Sequence, residues 1–213
     1  MITIPKHTIT TYNPSSTAIN EQSDFTRRIP SYPPKVQARV EKIIKQLIQA
    51  YDVEENPEKM KEIFFKKADL LPNPTYWELL RSVWVAAGRV DNVHEFMPFF
   101  KSNRPSKNWF MTPEDATAFD KMVFPLTIYR AYSQEPDPGI SWTLNEQWCK
   151  EYAAARERQI KSRTVMREDV FAYISRRGEE EIIILPKFYD KEQEQKRKRG
   201  RNFPGSYRSF RAE

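Results

Sequence analysis

Glu179, Glu180 and Glu181 run directly into Ile182-Ile183-Ile184-Leu185, in the stretch RGEEEIIILP. Side chains two apart on a strand share a face. An extended chain here therefore turns Glu179 and Glu181 into one cleft and Glu180 away. Two carboxylates on one face suit glycosyl transfer. One accepts a hydrogen bond from a ribose hydroxyl and faces an oxocarbenium-like transition state; the other orients or deprotonates the attacking group. Upstream, Arg130 lies in FPLTIYRAY (124–132), and Ser141-Trp142-Thr143 close the turn-rich EPDPGISWT (135–143). An arginine beside such carboxylates is a planar, always-charged clamp for a diphosphate. Taken singly, acids at the mouth of an apolar strand are also gatekeepers against aggregation or solvated turn residues.

Other chemistries lack their parts. The chain has no Gly-rich phosphate loop ending in Lys-Ser or Lys-Thr, no GxGxxG, no HExxH and no CxxC. His7, His94 and Cys149 are the only histidines and cysteine, too few for an ordinary zinc site, so no metal is expected. Nothing local supports a Ser-His-Asp triad. With a single cysteine no disulfide forms within the chain, and a reducing cytoplasm is the natural setting. No run of about 18 apolar residues offers a membrane span, and the N-terminus lacks the basic start and apolar block of a secretory signal.

The elements that must position these residues follow from periodicity. Val36, Val40, Ile43, Ile44, Leu47, Ile48 and Tyr51 recur at helical spacing. Asn56-Pro57, Asn73-Pro74 and Thr112-Pro113 each place a capping side chain before a proline, whose missing N–H would be orphaned at a first helical position. Asp115, three positions after Thr112, makes a shorter relative of the capping box. Tyr76, Leu79, Leu80, Val83, Trp84 and Ala87 mark a further helix stopped at Gly88. A short one at 92–100 holds Phe96, Met97, Phe99 and Phe100, limited by Pro98. These aromatic residues read as core, and His94 as surface or satisfied core.

Beyond residue 122 the character changes. FPLTIYRAY reads as a strand, GISWT leads into a short one, and residues 144–161 read as a helix capped by Asn145, with Trp148, Tyr152 and Ala155 on one face. Residues 162–175 read as one or two short strands, and 182–185 as a fully buried one. The fold class is α+β: an extended Pro-rich arm (1–34), a helical domain (35–122), a compact β-rich core (123–190) and a basic tail (191–213).

LTIYRAY, GISWT and EEEIIILP, taken in order with a helix between the second and third, resemble the mono-ADP-ribosyltransferases of the Arg–Ser–Glu class. EEEIIILPKF is similar to the ending of the arginine-modifying branch, and the spacing also looks like that of small phage and bacterial proteins with a helical segment before the core. The resemblance covers about 124–186. It implies NAD as substrate and a protein acceptor of ADP-ribose, with arginine the side chain modified. A host-modifying role in the host cytoplasm follows by analogy if the chain is viral. By the same resemblance Arg130 binds the NAD phosphates or nicotinamide ribose, and Ser141 braces the nicotinamide pocket with Thr143 in support. Glu181 bonds the ribose 2′-hydroxyl, Glu179 positions the acceptor, and Tyr129, Trp142 or Tyr173 stacks on nicotinamide. One departure stands out: only ten residues separate Arg130 from Ser141, where many members insert a helix or long loop. The pocket wall must then come from elsewhere.

The tail carries the second expectation. Seven basic and no acidic residues lie between Lys196 and Arg211, more than the whole net charge of +6, so the rest of the chain is nearly balanced. Lys196, Arg197, Lys198, Arg199 and Arg201, with Phe203, Tyr207 and Phe210 interleaved, suit a nucleic acid or an acidic partner. A non-enzymatic, phage-type binding protein is the rival to the transferase. A solvated tail that only aids solubility is the plain alternative.

Overall fold

The structure, a computed structural model, describes residues 30–87, 93–133, 139–175 and 179–186. Among them are six α-helices and one five-stranded antiparallel sheet, an α+β architecture. They form two compact units. The described residues of Met1–Arg89 join Arg104–Phe110 in one, and those of Val90–Asn103 join Met111–Glu213 in the other. The helical region expected over 35–122 is therefore divided between the two.

In the first unit, α1 (Pro34–Ile48) buries Val40, Ile43, Ile44 and Leu47, the stripe that its spacing requires. The chain then runs through one π-helical turn, Gln49–Val53. α2 (Pro57–Lys67) starts where Asn56 Oδ1 accepts from the Lys59 amide at 2.9 Å and adds Met60 and Phe64 to the core. α3 (Asn73–Ala87) is buried without a break from Thr75 to Leu80, so it is the central helix and not an amphipathic surface one. Burying each large apolar side chain here stabilises the fold by roughly 2–3 kcal/mol. Asn73 does not cap α3 from outside. It is the first helical residue, and its side chain accepts from Arg104 Nη1 at 3.3 Å. Arg104 also donates to the carbonyls of Leu71 and Ala68 and lies 4.5 Å from the Tyr76 ring. Trp77 Nε1 donates to Pro105 O at 2.8 Å.

The second unit contains α4 (Val93–Phe100), α5 (Pro113–Asp120), α6 (Glu146–Ala154) and the sheet. Pro98, expected to limit α4, lies inside it, and Lys101 N still donates to Met97 O at 3.0 Å. Thr112 Oγ1 caps α5 at the Asp115 amide. The Asp115 carboxylate, 1% exposed, accepts from both the amide and the hydroxyl of Ser175, at 3.0 and 2.6 Å.

The strands are β1 (Leu126–Tyr132), β2 (Ser141–Thr143), β3 (Gln159–Val165), β4 (Ala172–Ile174) and β5 (Glu181–Ile183), in the order β3-β1-β2-β5-β4. One face packs Ile128, Val165, Tyr173, Ile182 and Ile184 around Phe119 of α5. On the other face α6 lays Cys149 and Ala153 against Ala131, with Tyr129 and Tyr152 alongside. The helix expected to run to residue 161 ends at Ala154, Glu157 takes a left-handed φ of 51°, and β3 begins at Gln159. Seven residues of pairing with β1 outweigh the local helical pattern there. The face of α6 that reaches the sheet is Cys149 and Ala153; Trp148 and Tyr152 stack on each other at 5.1 Å, and Ala155 is exposed.

Candidate functional site

The sheet places β1, β2 and β5 side by side, so the strands carrying Arg130, Ser141–Thr143 and Glu181 are consecutive neighbours. Register is direct. Ser162, Tyr129, Thr143, Glu181 and Ile174 form one row across all five strands. Residues in one row share a face, so Glu181 lies on the face of Thr143 and Tyr129, the face that α6 covers in part.

Arg130 leaves β1 with the opposite alternation, on the side of Ile128 and Tyr132. Its guanidinium turns toward the start of β2, where Nη1 donates to the Ser141 carbonyl. It also lies against Gly139 so closely that a β-carbon there would overlap it. A β-carbon at Gly139 would thus have to move the guanidinium, the far end of a flexible side chain, and Arg130 and Ser141 are brought together through the main chain.

Thr143, 5% exposed, joins three segments. Its hydroxyl donates to the Glu179 carbonyl and accepts from the Asn145 amide at 3.0 Å. Asn145 Oδ1 in turn caps α6 at the Trp148 amide, 2.8 Å away. Leu144 N donates to Glu180 O at 3.1 Å, extending the β2–β5 contact by one step. The acidic segment is therefore held to β2 through its backbone.

The same-face argument for Glu179 and Glu181 does not hold. β5 begins at Glu181, and Glu180 has a φ of 47°. A left-handed residue between them breaks strand alternation. Glu180 is not simply turned away from the unit either. Burial first, then the carboxylates of Glu180 and Asp115, hold the Tyr173 hydroxyl above the ordinary tyrosine range.

The three aromatic candidates separate. Tyr129 shares the face of Glu181, whereas Trp142, adjacent in β2 to Thr143, is on the opposite face and packs into the apolar cluster. They cannot line one pocket together. Tyr173 is 5% exposed within that same cluster and is core, not a stacking platform.

Around Tyr129 the structure adds residues that sequence reasoning missed. Its hydroxyl hydrogen-bonds to Glu146, which pairs with Lys150 at 2.7 Å. Burial, then Glu146, pushes the Tyr129 hydroxyl up. The bond from Lys150 is the main cause that holds the Glu146 carboxyl low. The four-residue spacing of Glu146 and Lys150 on a helix was the available signal. Burial pushes the Cys149 thiol up, against a smaller opposing pull from Arg130, so it is not an activated nucleophile.

Among the described residues no group of three or more His, Cys, Asp or Glu could hold a metal ion, and no helix is long and apolar enough to cross a membrane. A groove along α1 and α2, lined by Ala38, Lys42, Lys45, Gln46 and Ile63 among others, includes none of the expected site residues. Lys196, Arg197, Lys198, Arg199 and Arg201 lie outside the described residues. No protein-family model, curated protein or solved structure matches the chain.

Proposed function

We propose that the chain is an NAD-dependent mono-ADP-ribosyltransferase that modifies a protein side chain, arginine in the first instance. The observation that carries this reading is the strand order: β2 lies between β1 and β5, so the three motif segments are neighbours in one sheet, with Glu181 on the Tyr129 face and Arg130 leaving β1 on the other. With Arg130 and Glu181 on opposite faces, one NAD would meet both only around the start of β2, toward which the Arg130 guanidinium turns. The guanidinium at Arg130, which Gly139 leaves room for, would suit the diphosphate. Glu181 would hold the ribose 2′-hydroxyl and offset the positive charge that develops at C1′ as its bond to nicotinamide breaks. Glu179 would orient the acceptor nitrogen that bonds to C1′ and receive its proton. Ser141 and Thr143 act by fixing the backbone on which the charged groups stand.

The test is release of nicotinamide from NAD by the full chain, with an arginine-rich protein as acceptor. Arg130→Lys keeps the charge but loses the planar fork, and is expected to raise the KM for NAD about tenfold or more. Release at an unchanged KM in this variant would remove Arg130 from the reading.

A further inference from the structure

We infer that the outer edge of β3 is a docking site for an acidic peptide, which adds to the sheet as a further strand. β3 stands at the end of the strand order, so among the described residues only β1 pairs with it. It pairs with β1 without a bulge over seven residues, from Gln159 to Val165, and contains neither proline nor glycine. A regular edge of this length presents a row of backbone donors and acceptors, the requirement for strand addition.

Side chains then specify the occupant. Arg156, Arg158, Lys161 and Arg163 lie in or just before the strand, against the single acid Glu157. Lys161 and Arg163 are two apart and share a face. A partner strand with carboxylates at the same period of two would set them opposite these cations, and such cross-strand pairs are stabilising. On the other face Ile160 is 40% exposed, beside exposed Ser162 and Thr164. The complementary sequence therefore alternates acidic and apolar residues.

The cations lie over aromatic rings. Lys161 Nζ lies 4.8 Å from the Tyr132 ring and 5.8 Å from Trp142, and the Arg163 guanidinium 5.9 Å from Trp142. Arg156 and Arg158 lie 4.1 and 5.6 Å from Tyr152. The rings over which Lys161 and Arg163 lie belong to β1 and β2, so pairing with an added strand exchanges these contacts for carboxylates at the outer edge. The same contacts favour a peptide over a single-stranded nucleic acid. Tyr152 is already stacked on Trp148, and Trp142 packs into the apolar cluster, so these rings offer no open platform for bases.

The experiment is fluorescence anisotropy of a labelled peptide of about eight alternating glutamate and valine residues, titrated with the full chain. Saturable binding is expected. Lys161→Glu with Arg163→Glu is expected to weaken it by about tenfold or more, with the basic tail unchanged. On the unaltered chain, the same peptide N-methylated at alternate amides keeps its charge but cannot pair as a strand, and is expected not to bind. Equal binding of the N-methylated peptide, no effect of the double substitution, or tighter binding of an oligonucleotide of similar length that the double substitution abolishes would each overturn the proposal.

Discussion

At the scale of single residues, Thr143 shows how little side chain is needed to fix an acidic segment. One hydroxyl donates to the Glu179 carbonyl and accepts from the Asn145 amide, in a position 5% exposed to solvent. Thr143→Val keeps the β-branched shape and deprives both groups of that partner. It is expected to cost about 2 kcal/mol, read as a lower urea midpoint with an unchanged slope. Tyr173 gives a residue-scale dependence on pH. Its hydroxyl is held up in the folded state by burial, then by Glu180 and Asp115. The stability this contributes is fully present below the ordinary tyrosine value of about 10 and is lost as pH rises through the folded value. Unfolding curves above about pH 10 should therefore show a loss that Tyr173→Phe reduces; an identical alkaline profile in that variant would contradict the assignment.

At the scale of elements, the caps and stripes were legible because their causes are local. Asn56, Thr112 and Asn145 each accept from the amide three residues on, as their positions before helices imply. Asn145→Ala removes one such bond from the helix that covers the Tyr129 face. It is expected to lower stability by about 1 kcal/mol in thermal unfolding, with little change elsewhere. What sequence could not show was set by distant partners. Asn73 was drawn to Arg104, the end of the expected helix over 144–161 was drawn into pairing with β1, and Asp115 was drawn to Ser175. The left-handed Glu180 was hidden for a similar reason: nothing in three consecutive glutamates marks which one turns. Hence Arg130, Ser141 and Glu181 were legible only as motif positions, while the separation of Tyr129 from Trp142, and of Glu181 from Arg130, needed the register.

At the scale of the whole molecule, an α+β chain has its motif-bearing strands side by side in one unit and a Trp- and Phe-rich helical core in the other. Its surplus of positive charge is concentrated beyond residue 195, so the net charge says little about the sheet itself. The central claim is that this sheet holds a transferase site centred on Glu181. The most direct measurement is transfer of label from ADP-ribose-labelled NAD to protein, with the full chain and cell extract. Labelling is expected with the unaltered chain, to fall by about a hundredfold or more in Glu181→Ala, and to persist in Glu180→Ala. Labelling that survives Glu181→Ala, or a chain that neither binds NAD nor transfers label, would contradict it.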